Sequence, residues 1–423
     1  MNRLICTLLY LACLGTLLPW SNHSHADDWA YTLRPGDELW SVAKQYCGSA
    51  RLAGRIAEYN NLSDPAKVRA GTRISIPTQW LVFEPTSAVL KEMSGTVQYL
   101  VDSATLTQSS PAKIGQLIDM GGSLITIEGS AMVEFADGSV IILQPNSRIL
   151  FNKLTAFGPA GMVDTHLRFA YGQGTTKVQP QNRGDRFRIE TPEGVAAVRG
   201  TEFRVSFDPD KKKATTETLT GAVAFIAPTT SVEVPAGFGV AASQDGVTKE
   251  TLLVAPNVEV QESYSAGDFL NWQKVTDADT YVVTWAQTKT PNITAELTRH
   301  NDNQAEIQLP PGEYIAQVRG VSSQGIAGYD ASAQIQILAS PPSPSEAPKI
   351  SPGPANLAWT DATEETNYTV EITNRNTLRS EQVSTHRMTL DLSDAGEYNW
   401  RVRTTDSAWS TSQSITVLPV APK

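Results

Sequence analysis

Hydrophobic and polar positions follow a helical period in only one part of this chain, between Trp29 and Pro77. Apolar residues recur there three and four positions apart, which places them on one face of each of two short helices. They are Leu39, Val42, Ala43 and Tyr46 on the first helix, and Leu52, Ile56 and Tyr59 on the second. The β-rich runs "WAYTL" and "TRISIP" flank the pair. The pattern predicts a β-α-α-β module over residues 29–78, in which Asp37 caps the first helix.

From residue 80 to residue 255 the apolar positions alternate one by one with polar positions, which is typical of half-buried strands. The clearest runs are "SLITIEG", "SAMVEFADGSVIILQ", "RFRIETPEG", "EFRVSFDP" and "GAVAFIAP". Asp137 and Gly138 separate two such runs, and this dipeptide is a strong hairpin signal. We expect an all-β domain here.

The C-terminal part of the chain is a weak tandem repeat. Each unit has a Trp strand, a Tyr strand and a Gly-x-Tyr corner: Trp272, Tyr281, Gly312 and Tyr314 in the first, and Trp359, Tyr368, Gly396 and Tyr398 in the second. A buried tryptophan and a tyrosine at a strand corner are typical of an immunoglobulin-like β-sandwich. We predict sandwiches over residues 256–340 and 355–423, joined by a stiff proline-rich linker over 341–354. The predicted fold class is therefore multidomain and mainly β.

The N-terminus has the features of a secretory signal peptide over residues 1–26. Arg3 supplies the charge, "LICTLLYLACLGTLL" is the apolar core, and Ser24 and Ala26 stand at the cleavage positions. No later segment has the length needed to cross a bilayer. We therefore expect a soluble, exported mature chain in the periplasm. Lipidation at Cys13 is the less favoured alternative, because residues 10–12 make a poor lipobox.

The N-terminal module resembles a LysM domain over its whole length, on the runs "YTLRPGDELWSVA", "IAEYNNLSDP" and "VRAGTRISIP". This resemblance implies binding of N-acetylglucosamine-containing glycans, chiefly peptidoglycan, in a shallow groove between two loops. On this sequence the groove falls on Gly36, Asp37, Glu38, Leu39, Trp40, Leu62, Ser63, Asp64, Ala70 and Gly71. Backbone amides and polar side chains can bond sugar hydroxyls, while Leu or Trp packs on the ring. The alternative is that Asp37 only caps the helix and that Leu39 and Trp40 belong to the core.

The middle region resembles the FecR family, on "TPEGVAAVRGTEFRV", "FADGSVIILQPNS", "GAVAFIAP" and "VEVPAGFGV". FecR itself relays a surface signal to a cytoplasmic sigma factor through a cytoplasmic segment and one membrane span. This sequence has a signal peptide and a LysM-like module in their place, so the resemblance implies the fold and not the sigma-regulator role. The two C-terminal units look like fibronectin type III or other immunoglobulin-like domains, which are mostly spacers or protein-binding surfaces.

The run "TPEGVAAVRGTEFRVSF" changes the phase of its alternation at Arg199 and Gly200. Phe203, Val205 and Phe207 share one parity, and a β-bulge at the Arg-Gly pair brings Ala196 and Val198 to the same face. We expect Arg199 to be buried or half-buried at this bend, paired with Glu202 or with a carbonyl group. The structural role of Arg199, Gly200 and Glu202 is favoured over a binding role.

Catalytic signatures are missing from the sequence, and we expect no enzyme, no cofactor and no metal. The histidines of the mature chain, His166, His300 and His386, are far apart and fit no metalloprotease spacing. Glu134 and Asp137 do not have the arrangement of a glycosidase pair, because Asp137 is explained by the turn. Cys47 is the single cysteine of the mature chain and is expected to be a packing residue.

The function expected from the sequence is that of a non-enzymatic protein of the cell envelope. Its LysM-like module binds peptidoglycan, and its β domains present surfaces to an envelope protein partner. The formal net charge of −10 disfavours nucleic acid as a partner. One alternative is a signal-sensing regulator that works through a separate membrane partner, and a less favoured one is a cell-wall hydrolase.

Overall fold

The computed structural model describes residues 28–101, 109–158, 162–180, 186–345, 350–360, 367–375 and 377–419. The predicted signal peptide and Cys13 lie outside the described residues, as do residues 346–349 of the predicted linker. The chain divides into two compact units, one of Met1–Val82 with Phe157–Ala160, and one of Phe83–Ala156 with Gly161–Lys423. No helix among the described residues is long and apolar enough to cross a membrane.

The N-terminal module has the predicted β-α-α-β order. Its elements are β1 (Asp28–Thr32), α1 (Leu39–Cys47), α2 (Ala53–Tyr59) and β2 (Arg73–Pro77), and the two strands pair antiparallel. The rings of Trp29, Tyr31 and Tyr46 pack together in the core, with centroids 4.8–5.1 Å apart. Cys47 is also buried, and burial raises the pKa of its thiol to about 11, as expected for a packing residue.

The middle β domain follows, and its described part is built mainly of strands joined by turns and short loops. The first nine strands are β3 (Glu84–Pro85), β4 (Ala88–Met93), β5 (Val97–Leu100), β6 (Ser109–Pro111), β7 (Leu117–Ile118), β8 (Ser123–Thr126), β9 (Ala131–Glu134), β10 (Val140–Leu143) and β11 (Ser147–Phe157). The next nine are β12 (Met162–Lys177), β13 (Arg186–Thr191), β14 (Gly194–Val198), β15 (Glu202–Asp208), β16 (Lys213–Thr220), β17 (Ala222–Ile226), β18 (Ser231–Pro235), β19 (Phe238–Ser243) and β20 (Gly246–Thr251).

These strands are hydrogen-bonded into one closed barrel with two broad faces. Sheet 1 contains β3, β5, β6, β8, β11, β13, β14, β17 and β18, and sheet 2 contains β4, β7, β9, β10, β15, β16, β19 and β20. The long strand β12 belongs to both, because it pairs with β13 before Gly172 and with β15 from Gly172 onwards. Gly172 has a φ of 91°, and a Cβ there would lie 2.2 Å from the Ser147 Oγ. Glycine is therefore required where the strand passes between the sheets.

The Arg199-Gly200 pair is a crossing point between sheets. β14 pairs with β13 and β17 in sheet 1, whereas β15 pairs with β12 and β16 in sheet 2. Gly200 has a φ of 87°, and a Cβ there would meet the Pro180 Cα at 2.9 Å. Ala196, Val198 and Phe203 all face the core, as predicted. The mechanism differs from the predicted bulge, because the chain changes sheets here and the register shift lies between Glu202 and Phe203.

The first sandwich has a three-stranded and a five-stranded sheet. Its strands are β21 (Val258–Glu259), β22 (Tyr264–Ser265), β23 (Phe269–Trp272), β24 (Thr280–Gln287), β25 (Thr294–His300), β26 (Gln304–Glu306), β27 (Gly312–Val321) and β28 (Ala331–Leu338). β22 pairs parallel to the last strand, β28.

The second sandwich has a three-stranded and a four-stranded sheet. Its strands are β29 (Ser343–Pro344), β30 (Gly353–Thr360), β31 (Tyr368–Asn374), β32 (Thr377–Val383), β33 (Arg387–Leu392), β34 (Gly396–Thr404) and β35 (Gln413–Val417). Ile350 forms a parallel bridge to Val417 of the last strand. Part of the predicted linker, residues 341–354, therefore belongs to the second sandwich. Ser343–Pro344 and the start of β30 lie within these residues, and both pair with strands of that sandwich.

The predicted tandem repeat is confirmed in the two cores. Trp272 packs on Tyr281 with ring centroids 5.3 Å apart, and Trp359 packs on Tyr368 at 5.4 Å. The corner tyrosines of the two sandwiches also form equivalent hydrogen bonds. The Tyr314 hydroxyl donates to the Pro310 carbonyl over 3.0 Å, and the Tyr398 hydroxyl donates to the Asp394 carbonyl over 3.2 Å.

Candidate functional site

The loops that carry the two predicted groove segments of the N-terminal module lie at the same edge of its β pair. Thr32 lies opposite Arg73, so the loop after β1 and the loop before β2 begin side by side. The Leu33 N–H donates to the Thr72 carbonyl over 2.9 Å, and the Gly71 N–H donates to the Leu33 carbonyl over 2.8 Å. The β pair therefore holds both loops in a fixed relation, as a preformed binding site requires.

The start of helix α1 differs from the sequence prediction. Glu38, and not Asp37, is the N-cap, and the Ser41 hydroxyl accepts a hydrogen bond from the Glu38 N–H. Asp37 instead closes the preceding turn, where it accepts from the Tyr31 hydroxyl over 2.6 Å and from the Arg34 N–H over 2.7 Å. These two hydrogen bonds lower the pKa of the Asp37 carboxyl. Asp37 shapes the loop through these bonds.

A shallow pocket of about 470 Å³ lies on the second loop. Its lining residues are Leu62, Ser63, Asp64, Lys67, Val68, Arg69 and Thr72. Three of the predicted groove residues belong to this set, namely Leu62, Ser63 and Asp64. The other four were missed, although the run "SDPAKVRAGT" carries charged and hydroxyl side chains that could have indicated them.

The remaining predicted residues lie outside this pocket. Leu39 is only 1% exposed, so its side chain belongs to the core, as the alternative reading held. Trp40 is 52% exposed, so it is not a core residue, and its indole N–H donates to the Glu38 carboxylate. The other members, Gly36, Ala70 and Gly71, are exposed in the two loops.

The pocket offers hydrogen-bonding groups of both kinds. The Asp64 Oδ1 accepts from the Ala66 N–H over 2.9 Å, and the Lys67 Nζ lies 3.4 Å from the Asp64 Oδ2. This arrangement leaves side-chain acceptors and donors beside the partly buried Leu62. Such a mixture suits the hydroxyl and amide groups of a sugar with an apolar ring face. Among the residues that the structure describes, no group of acidic, histidine or cysteine side chains could hold a metal ion.

Arg199, the candidate of the middle β domain, is exposed. In the described part of the chain it forms no ion pair with Glu202, which corrects the expectation of a buried pair. The phase change is achieved by the backbone at Gly200, so the sheet needs no arginine partner there. The buried arginine of the same run is Arg204, which is 6% exposed and reaches Asp330 of the first sandwich.

The carboxylates considered for hydrolysis are engaged in structural contacts. Glu134 forms an ion pair with Lys91 at 3.1 Å. Asp137 accepts from the Ser139 N–H over 2.9 Å and from the Ser139 hydroxyl over 2.8 Å, which closes the predicted hairpin turn. Their contacts are those of a strand pair and a turn.

Comparison with known protein families places two domain types in this chain. The LysM domain model matches residues 31–77, and the FecR protein model matches residues 124–224. Both types are binding or regulatory modules. The first match contains the two loops and the pocket described above, and the second contains the crossing at Arg199-Gly200.

A protein of Deinococcus radiodurans, described as uncharacterized, is 40% identical over 50 residues. That match spans 12% of this chain and only about a fifth, 20%, of the relative. Among solved structures, this chain is similar to a protein assigned as an anti-sigma factor from Parabacteroides distasonis, with 16% sequence identity and a TM-score of 0.26. The match covers 30% of this chain and 57% of that one. A segment of two fibronectin type III domains from chicken tenascin has 16% identity and a TM-score of 0.27, and covers 38% of this chain and 97% of that one.

Proposed function

We propose that this protein binds peptidoglycan through its N-terminal module and presents its β domains to a protein partner of the cell envelope, in the periplasm. The observation that supports the first half most directly is the LysM match over residues 31–77, which contains two hydrogen-bonded loops and a polar pocket. The Trp40 indole adds an exposed aromatic surface at the start of α1, directly after the first loop. The domain types present are those of a binding protein, and we propose no catalytic activity.

Retention on purified, insoluble peptidoglycan tests glycan binding. The mature chain from residue 27 is compared with a chain that begins at Phe83, because Leu81 and Val82 still belong to the first compact unit. We expect the full mature chain to sediment with the peptidoglycan and the shortened chain to stay in solution. Equal retention of the two would refute the proposal.

Point variants locate the glycan contact within the module. Arg69→Ala removes a side chain from the pocket, and Arg51→Ala removes an exposed one outside it. We expect the first change to lower retention several-fold and the second to leave it unchanged, since side chains that fix a sugar's orientation each contribute on the order of 1 kcal/mol. A loss in both variants would point to nonspecific charge attraction, which added salt suppresses.

A second candidate function is signal regulation, and the observation that favours it is the FecR match over residues 124–224. In that case the protein partner is a membrane protein that carries the signal onward. Co-purification from membranes, after crosslinking of the full chain in cells, tests it. Recovery of an inner-membrane regulator would support this role, and recovery of peptidoglycan-bound material alone would oppose it.

A further inference from the structure

A patch on the outer face of sheet 2 is buried, although its strands alternate as if that face were open to water. On β15, Phe203 and Val205 point into the barrel, and Arg204 between them is 6% exposed. On β16 Glu217 is 2% exposed, and on β19 Ala241 is 4% exposed. Something outside the barrel therefore covers these three residues.

The cover is the loop between β27 and β28 of the first sandwich, residues Ser322 to Asp330. The Arg204 Nη1 donates to the Gly328 carbonyl over 2.8 Å, and the Ala327 N–H donates to the Glu217 Oε1 over 3.2 Å. At the start of the loop, the Ser322 hydroxyl donates to the Glu250 carboxylate over 3.1 Å. The loop thus contacts β15, β16 and β20.

Four charged side chains form the centre of this contact. The Arg204 Nη2 lies 2.5 Å from the Asp330 Oδ2, and the Arg319 Nε lies 2.8 Å from the Asp330 Oδ1. Glu217 accepts from the Thr215 hydroxyl over 2.7 Å, and burial raises the pKa of its carboxyl while the Arg204 charge opposes that shift. Breaking such a buried pair costs more than forming it contributes, so each partner strongly requires the other.

Two glycines allow a close fit that larger residues would prevent. A Cβ on Gly239 of β19 would meet the Ile326 Cγ2 at 2.5 Å, and a Cβ on Gly328 would meet the Leu253 carbonyl oxygen at 2.6 Å. The surfaces are therefore complementary in shape as well as in charge, as specific protein interfaces are.

The apolar part of the contact is small. Its buried cluster consists of Ala241, Leu252 and Ile326, separate from the cores of the barrel and the sandwich. A second contact, around Thr294, is polar: its carbonyl accepts from the Ser94 and Ser130 hydroxyls over 2.7 and 3.0 Å. Interfaces between domains that separate are more polar than obligate ones. The composition of this contact is therefore closer to that of an interface between separable domains than to that of an obligate interface.

We propose that the Arg204 face of sheet 2 is a protein-docking surface, and that the loop Ser322–Asp330 occupies it as a displaceable latch. The partner that fits offers a branched apolar side chain followed four residues later by a carboxylate, as Ile326 and Asp330 do. The proposal deepens the protein-interaction half of the proposed function and rests on it. It does not involve the N-terminal module, so retention on peptidoglycan stays the same whether the latch is open or closed.

Hydrogen exchange of the full mature chain tests the opening of the latch. Asp330→Asn removes the shared carboxylate from the loop, and Asp279→Asn is the matched control on an exposed aspartate of the same sandwich. We expect the Ala327 and Tyr329 amides, which donate to Glu217 and to Leu253, to exchange at least tenfold faster in Asp330→Asn alone. Ile326→Ala removes the apolar side chain of the loop from the same contact and serves if Asp330→Asn does not fold. Unchanged exchange in both variants would overturn the latch.

Binding of a fluorescent peptide with the sequence Gly320–Asp330 tests the docking surface. We expect the opened full-chain variants to bind it at least tenfold more tightly than the wild type or Asp279→Asn. Adding Arg204→Met, or the wedge Gly239→Val, removes this binding. If the loop amides exchange faster but the peptide binds no better, the surface is a structural contact only and the docking role is refuted.

Discussion

Arg319 and Arg403 stand at the same place in the two sandwiches, on the strands that begin at Gly312 and Gly396. Their surroundings differ completely. Arg319 is 8% exposed and pairs with Asp330 beneath the barrel, and burial lowers the pKa of its guanidinium to about 10. Arg403 is exposed, and its guanidinium lies 4.5 Å from the Trp409 ring centroid. A similar local sequence forms the corresponding strand in both, and the neighbouring domain decides whether the arginine is buried.

The cores of the two sandwiches should lose similar stability when their tryptophan is removed, and this is the largest effect that we expect. Trp272→Ala and Trp359→Ala each remove a fully packed indole, so we expect a loss of about 3–5 kcal/mol in the unfolding free energy of the sandwich concerned. Chemical denaturation followed by the near-ultraviolet circular dichroism of each variant measures it. A large difference between the two losses would break the equivalence of the cores.

Substitution of Arg319 and of Arg403 should change stability by different amounts. Arg319→Met leaves Asp330 without one of its two partners, and we expect a loss of about 2 kcal/mol, moderated because the Asp330 side chain keeps 23% exposure. Arg403→Met removes an exposed stacking contact and should change stability by about 0.5 kcal/mol or less. Thermal melts of both variants give the comparison, and equal losses would contradict the difference in environment.

Removal of the corner tyrosine hydroxyls should lower the stability of the two sandwiches by similar amounts, which are smaller than those above. Tyr314→Phe and Tyr398→Phe remove only the hydroxyl groups that donate to the Pro310 and Asp394 carbonyls. We expect each change to cost about 1 kcal/mol, the net contribution of one hydrogen bond. Urea titrations that show no loss in either variant would exclude a stabilising role for the corner.

The smallest expected effect is a pH dependence of the first sandwich. Burial lowers the pKa of His300, so below about pH 6.5 the unfolded chain takes up a proton that the folded chain resists. Stability is then constant above that pH and falls as the pH decreases through it. His300→Gln should flatten this dependence of the unfolding free energy on pH, measured by denaturation at several pH values.

The sequence predicts what is local. The helical period of the N-terminal module, the alternation of the middle region and the paired Trp and Tyr positions all reflect contacts made within one domain, and the structure confirms these elements. The glycine at position 200 was also identified as the site of the phase change, although the sheet-to-sheet crossing was not.

Contacts between distant segments account for what the sequence did not predict. Arg204 has the parity of a solvent-facing residue, yet it is covered by the loop 322–330, which is more than a hundred residues away in sequence. In the same way, Lys67 and Arg69 line the pocket because the strand pair folds their loop back onto the module. The resemblance to LysM domains placed Leu39 in the groove, whereas its position on the apolar face of the helix indicated the core. The structure places its side chain in the core.

The parallel pairing of an early segment of each sandwich with its last strand has a mechanical consequence. In the first sandwich β22 lies parallel to β28, and in the second Ile350 is bridged in the same sense to Val417. When the two ends of such a domain are pulled apart, the hydrogen bonds between parallel segments bear the load together instead of opening one after another. A chain held at a cell wall and loaded at its other end would therefore resist stretching at these pairs. Single-molecule pulling should show two unfolding events of higher force than the barrel, and their absence would mean that the pairs carry no load.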